Sequence, residues 1–349
     1  MAALGVAMVV TAAGCGGGSD GGDASGGGGA PVAAGCDRVD LSQPPAAPVE
    51  IRMAHGFVVD EPLWLLEAKP ELTRHRGRWY TQRYTAMRGN EDRFTAFQAG
   101  QADAITTSAP ALVKAIAQRI PLKAVATEIR EARDGFQSTY VARADSGIRG
   151  FGDLKGRKIG IVDFGSSTDY WARAAVKRGG FDHTRDAEYV VVPFPAQEEA
   201  LRRGQIDVAV LVEPFHTLAR QKGGLVDVFT SLQATGAAQE PVQFVTFGEK
   251  FLEGNPGVVC AWIDDLKTTT AWYLANLNEA RRVLVEKKFV QIPLETYQAS
   301  RDYSRPANAA VDTAALDGLI ADLHAFGILR DDQRVSAADI VAAGFAPTP

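Results

Sequence analysis

Gly165-Ser166-Ser167-Thr168 is the sharpest chemical feature of the chain. Glycine lets a backbone come close to a ligand. Three hydroxyls and the free N–H groups of a helix starting here make a cup for an anion. Ser or Thr in this place also caps the helix, whether or not a ligand sits there. Four other places carry polar or aromatic groups. His55-Gly56-Phe57 offers an imidazole that donates either to a ligand or to its own loop. Arg88 either clamps an acid group through two parallel bonds or stays solvated. Thr107 and Ser108 offer hydroxyls, and Glu213, immediately before Pro214, can accept from an amine or hydroxyl. The alternative for Glu213 is a pairing with a nearby Lys or Arg. Trp64, Tyr170 and Trp171 supply rings that either wall a cleft or fill a core.

These groups are far apart in sequence, so a scaffold must gather them. The chain repeats itself: Gly100-Gln101-Ala102-Asp103 leads an apolar run to Pro110, and Gly204-Gln205-Ile206-Asp207 leads another to Pro214. Each copy reads as helix, tight turn, buried strand, helix, a piece of an α/β layer. Two copies predict two mixed-sheet α/β lobes with a cleft between them, joined by two hinge strands at 138–143 and 242–248. Strands are expected at 49–54, 79–87, 122–127, 158–163 and 188–192. In open α/β sheets ligands bind beyond the carboxyl ends of strands. That rule gathers His55, Gly56, Phe57, Arg88, Thr107, Ser108, Gly165, Ser166, Ser167, Thr168 and Glu213 around one gap.

The chain has 349 residues, room for about two domains. A net charge of −5 excludes a basic nucleic-acid footprint, so no nucleic-acid partner is expected. No Cys-x-x-Cys or Cys/His cluster occurs, and neither a metal nor a cofactor is expected. Residues 1–14 read as a signal peptide with an apolar run too short to span a membrane. Ala12-Ala13-Gly14-Cys15 is close to a lipobox, with Cys15 the lipidation site, although no Lys or Arg precedes the run and Ala12 stands where Leu is usual. Residues 15–48 are a Gly-rich flexible tether and arm. The body then divides into lobe one (49–140), an inserted lobe two (141–244), and a mainly helical return to lobe one (245–349). Export allows disulfides. Cys36 and Cys260 either pair or leave Cys260 as a small core hydrophobe.

Phe97-Gln98-Ala99-Gly100-Gln101-Ala102-Asp103, Asp153-Leu154-Lys155-Gly156-Arg157-Lys158-Ile159-Gly160 and the Gly165–Thr168 loop together resemble a known family. Asp145-Ser146-Gly147-Ile148, Glu213-Pro214 and Phe251-Leu252-Glu253-Gly254-Asn255-Pro256 extend the likeness over nearly all residues after Val49. The family is the solute-binding proteins of nitrate/sulfonate/taurine-type ABC importers, with the type II periplasmic-binding fold. The resemblance implies a monomer, exported and held by a lipid anchor at the outer face of the cell membrane or in the periplasm. It would capture a small anionic or zwitterionic solute and deliver it to a permease and its ATPase. The same superfamily includes pyrimidine-precursor binders and a eukaryotic enzyme whose Cys-rich motif is absent here. Alternatives are therefore a pyrimidine-precursor or aromatic-acid binder, or an enzyme with His55 as acid/base and Glu213 as its partner. A sensor domain that feeds no importer is a third.

Overall fold

The computed structural model describes residues 35–349. The leader, Cys15 and the tether up to residue 34 lie outside the described residues.

Ten strands form two five-stranded sheets. In chain order they are β1 (Val49–His55), β2 (Tyr80–Ala86), β3 (Ala104–Ser108), β4 (Leu122–Ala132), β5 (Thr139–Arg143), β6 (Lys158–Ile161), β7 (Glu188–Val191), β8 (Val208–Leu211), β9 (Leu225–Thr230) and β10 (Gln239–Gly248). The sheets run β2-β1-β3-β10-β4 and β7-β6-β8-β5-β9. Three strands in each sheet are parallel to one another, and the fourth is antiparallel to both its neighbours. Position for position, the two sheets have the same topology. The edge strands β4 and β9 each lead into the fourth strand of the opposite sheet.

The repeat read from the sequence occupies the third strand of each sheet, and its polar residues have structural work. Gly100 and Gly204 adopt φ of +68° and +71°, a left-handed turn that disfavours a side chain. Asp103 Oδ2 accepts the Arg52 N–H of β1 at 3.0 Å, and Asp207 Oδ2 accepts the Lys158 N–H of β6 at 2.9 Å. The N–H groups of Asp103 and Asp207 donate back to the carbonyls of Arg52 and Lys158, both at 2.8 Å. Each copy thus ties a third strand to a first strand in one register.

Helices cover the sheets. In chain order they are α1 (Glu61–Ala68), α2 (Asn90–Gln98), α3 (Ala109–Ala117), α4 (Ser167–Arg178), α5 (Phe194–Arg202), α6 (Phe215–Lys222), α7 (Ser231–Thr235), α8 (Glu249–Gly254), α9 (Pro256–Ala275), α10 (Leu277–Glu286), α11 (Leu294–Ala299), α12 (Thr313–Ala325) and α13 (Ala337–Ile340). Pro62, Pro110 and Pro256 stand in the first turns of α1, α3 and α9, where a missing N–H costs no hydrogen bond. Val259, Trp262 and Leu266 of α9 pack with Ile51, Val245 and Phe247 of the first sheet. Trp64 is core, packed with Tyr273 and Leu284. The C-terminal helices also brace the second lobe, because Tyr170 of α4 donates to Asp322 of α12 at 2.9 Å. No helix among the described residues is long and apolar enough to cross a membrane.

Two sequence expectations shift. The hinge strands expected at 138–143 and 242–248 belong to sheet strands β5 and β10, each hydrogen-bonded to a neighbour on both sides, with bulges along β10 and one between Tyr140 and Val141. The chain crosses between the sheets just outside them, at 133–138 and at 231–238. A lobe boundary at 244 would cut β10, which runs from Gln239 to Gly248 within the first sheet.

Cys36 and Cys260 form a disulfide, with Cα atoms 5.3 Å apart across 224 residues of sequence. It staples the arm to α9. Closing so long a loop restricts the unfolded chain strongly, by about 2–4 kcal/mol in typical cases. Cys36→Ala should lower the denaturation free energy by about that amount, and a reductant should then have no further effect. Urea unfolding with and without dithiothreitol measures both.

Candidate functional site

A cavity of about 440 Å³ opens between the sheets at their strand tips. The first sheet contributes the loop after β1 (Gly56 to Val59), the turn after β2 (Arg88, Gly89), Asn90 and Arg93 of α2, and Ser108 at the end of β3. Ile129 of β4 and Val242 and Gln243 of β10 form its floor, together with Tyr303. The second sheet contributes Val162 and Asp163 after β6, Ser166, Ser167, Thr168 and Trp171 around the start of α4, Pro193 to Ala196 after β7, and Val212 after β8. Ser138 lines the cavity where the chain crosses.

The start of α4 is built as the sequence suggested, with each residue given a separate task. Ser166 is the N-cap, and its Oγ accepts from Asp169 N–H at 3.4 Å. Thr168 Oγ1 accepts the Val162 N–H at 2.9 Å, which fixes the loop to β6. Ser167 is only 5% exposed, lines the cavity, and its Oγ has no hydrogen-bond partner. The first N–H groups of a helix have no acceptor within it. Ser167 and the opening turn of α4 therefore present unfilled donors to the cavity. From the other lobe, Ser108 stands at the N-cap position of α3 without a side-chain capping bond, and its Oγ is likewise buried and without a partner.

Asn90 joins the two lobes. Its Oδ1 accepts from Arg93, Thr107 Oγ1 and the Ser108 N–H at 2.9, 3.1 and 3.0 Å. Its backbone N–H and Nδ2 donate to Asp163 Oδ2 across the cleft, at 2.9 and 3.2 Å. A Cβ on Gly89 would lie 2.6 Å from Asp163 Oδ1, so the close approach needs glycine. Burial pushes the Asp163 carboxyl above its ordinary range, opposed by the Asn90 donors and Arg93. Burial also lowers the Arg93 guanidinium, while Asp60, Asp163 and Glu128 act to keep it charged. Arg88 is exposed at the cavity edge and forms no ion pair among the described residues.

The floor holds a pair of buried acids. Gln243 Nε2 donates to Asp60 Oδ1 and, at 2.9 Å, to Glu128 Oε2. Burial and the neighbouring Asp60 push the Glu128 carboxyl well above its usual range. Its Oε1 is buried and has no hydrogen-bond partner. The walls are aromatic: Phe57, 54% exposed, Trp171, Phe194 and Tyr303.

Of the residues named from the sequence, Gly56, Phe57, Arg88, Ser108, Ser166, Ser167 and Thr168 meet in this cavity. Four do not. His55 is buried behind the loop, its Nδ1 2.7 Å from the Gly56 carbonyl and 3.2 Å from the Trp64 indole nitrogen. Thr107 faces Asn90 instead of the cavity. Gly165 sits in a neighbouring crevice under Lys114, with φ +77° and its N–H on Asp169 at 2.8 Å. Glu213 caps α6 through Thr217, at 3.2 Å to its N–H and 2.9 Å to its Oγ1, beside His216. Its pocket lies elsewhere, lined with Arg220 and Arg301. His55 and Glu213 thus do not share a cavity, which removes the pairing that the enzyme alternative required. The strand-tip rule points also to Asn90, Asp163 and Phe194. Gln243 and Tyr303 carry no signal of this kind, since they come from the floor strand and the C-terminal segment.

One cluster has the donor types of a metal site: His75, Asp264 and Asp265. Asp265 is filled by protein donors, namely the N–H groups of Arg74, His75 and Arg76 and the Tyr80 hydroxyl. Its chemistry is that of a loop anchor.

The crossing is also acidic. Glu131 and Glu240 face each other on β4 and β10. Glu131 accepts the Ser138 N–H at 2.9 Å, and Glu240 accepts the Trp171 indole N–H at 2.8 Å, so the second of them holds a cavity wall. Burial raises each carboxyl from 4.5 to about 7. The folded chain then holds protons that the unfolded chain has released, and stability falls as pH rises from about 4.5 through about 7. Glu240→Gln keeps an acceptor for Trp171 and removes the charge. It should be more stable than the parent at pH 8, by about 1–2 kcal/mol, and nearly equal at pH 4. Urea unfolding at the two pH values tests this, and a parent curve that rises with pH across the window would refute it.

Comparison with known proteins places this architecture. Residues 123–286 match the model of the NMT1-like family, a stretch that contains the whole second sheet. No curated protein sequence matches the chain. Among solved structures, the ligand binding component of an ABC-type import system from Staphylococcus aureus, with zinc bound, aligns with a TM-score of 0.69 at 13% identity, over 84% of this chain and 96% of that one. The alkanesulfonate-binding protein SsuA from Xanthomonas axonopodis pv. citri, bound to MOPS, gives 0.69 at 14%, over 85% and 99%. The periplasmic nitrate-binding protein NrtA from Synechocystis PCC 6803 gives 0.66 at 13%, over 86% and 87%. At such identities the likeness is one of fold, and it agrees with the resemblance read from the sequence.

Proposed function

We propose that the chain is the exported solute-binding component of an ABC importer, and that its solute is a small organic acid with an apolar, ring-sized body. The observation that carries this reading is the unfilled Ser167 hydroxyl at the start of α4, buried and lining a cavity that also presents Phe57, Trp171, Phe194 and Tyr303. A helix N-terminus with free donors attracts an anion. Arg88 supplies an unpaired positive charge at the edge. A cavity of about 440 Å³ is in the range that takes organic ligands, and nitrate would leave most of it empty. The zwitterion reading rested on Glu213, which faces another pocket. The aromatic-acid alternative gains from Phe57, Trp171, Phe194 and Tyr303. The solved neighbours, import-system binding proteins by description, support delivery to a permease and its ATPase.

Benzenesulfonate or benzoate should raise the melting temperature and titrate with a single site, whereas nitrate should do neither. Ser167→Ala should weaken that binding about 5- to 20-fold, the loss of one charge-assisted hydrogen bond. A panel of sulfonates, carboxylates and pyrimidines that leaves the melting temperature unmoved would sink the proposal.

Lipid anchoring at Cys15 completes the reading. Cells expressing the full chain should carry it in the membrane fraction, with a lipid mass increment. Cys15→Ser should release it, and an unmodified parent protein would remove the anchor from the proposal.

A further inference from the structure

The floor of the cavity makes a demand on the other end of the solute. Gln243 sits on β10, partly exposed to the cavity. A primary amide has two N–H donors and one carbonyl acceptor. Both N–H directions of Gln243 are engaged by carboxylates, Asp60 Oδ1 on one side and Glu128 Oε2 on the other. Turning the amide over would set its carbonyl oxygen against the Asp60 carboxylate and lose that bond. The acids are themselves held: the Gly56 N–H donates to Asp60 Oδ2 at 3.0 Å, and Arg305 lies behind with bonds to the Val59 carbonyl and Glu61. The amide is therefore oriented with its oxygen free, an acceptor without a protein donor among the described residues. A buried acceptor left unmatched by a ligand costs about 1–3 kcal/mol, so a solute lacking a donor is discriminated against.

We infer that Gln243 is a specificity-determining acceptor, and that the solute carries a hydroxyl or N–H group at the end opposite its acid. Asp60 and Glu128 are positioning residues for that amide. This rests on the proposed function, since it takes the acid group to sit at Ser167.

Three probes share one ring and one sulfonate: 3-hydroxy-, 4-hydroxy- and 4-methylbenzenesulfonate. Calorimetric titration of the disulfide-intact protein should show one hydroxylated probe binding at least 10-fold more tightly than the methyl probe. Gln243→Leu should abolish or reverse that ratio while still binding the methyl compound. Gln243→Asn, which draws the amide back by one methylene, should lower the ratio too, and it serves should the Leu variant not fold. Equal or tighter binding of the methyl probe by the parent protein overturns this inference and leaves the proposed function standing. A preference for hydroxyl that survives in the folded variants also overturns it. Failure of the parent protein to bind any of the three overturns both readings together.

Discussion

One contact, made twice, sets the geometry on which the site depends. Asp103 and Asp207 each grip the backbone of the neighbouring first strand, accepting one N–H and donating their own to the adjacent carbonyl. A strand shifted by one residue would turn its whole inward face outward. Each aspartate sits just before a third strand and fixes the register there, so the carboxyl ends of strands one and three lie at the same end of each sheet, within about two residues of each other. The loops that follow are then delivered to one gap. The repeated Gly and Asp therefore build the scaffold, and the residues that line the cavity lie further along each strand, where the two copies differ. Ser108 stands at the tip in one lobe, while in the other the corresponding tip carries Val212.

Buried charge follows the same division. The acids at the crossing, Glu131 and Glu240, have no cationic partner in hydrogen-bond contact, and burial holds them near neutrality. At the cavity floor, Asp60 and Glu128 lie beside Arg305 and Arg93, and burial again favours the protonated form of Glu128. Unpaired charges in a dry interior are expensive, and these groups shed charge instead. Under the proposed function, the acids nearest the solute are already held by Asn90 and Gln243, and burial biases Asp163 and Glu128 toward their neutral forms. The free positive end of α4 and the unpaired Arg88 then dominate what the solute meets.

Much of this was legible in the sequence, for reasons that can be named. The paired Gly-Gln-x-Asp phrases marked the third strands, and the strand-tip rule brought seven of eleven named ligand residues to the cavity. The other four failed locally. Thr107 and Ser108 are adjacent in a strand, so their side chains point to opposite faces, and only one can face the gap. His55 and Glu213 sit at tips, but each is claimed by its own loop, through Gly56 and Trp64 in one case and Thr217 in the other. Gly165 supplies the turn before α4 and leaves the cavity lining to Ser166, Ser167 and Thr168. Gln243 was invisible because its role arises from Asp60 and Glu128, 183 and 115 residues away in sequence.

The two ends of the cavity bear on how capture is coupled to movement. A ligand shifts an equilibrium between open and closed forms only by its differential affinity for them. An anion held by Ser167 and α4 alone touches one lobe and binds an open form nearly as well as a closed one. The lobes already meet through Asn90 and Asp163, a contact that pulls a half-buried carboxylate out of water. If the proposed capture works by closure, that desolvation opposes the contact, and a solute would have to contribute on both sides to favour it. A body clasped by Phe57 from one lobe and Phe194 from the other contributes apolar contact that exists only when the lobes are together. A donor reaching Gln243 on the first sheet adds a directional bond to the same condition. Under the proposed function, a solute with only an acid gains from the first lobe no more than Arg88 at the cavity edge, and recognising both ends would make closure answer to the right solute and not merely to an anion.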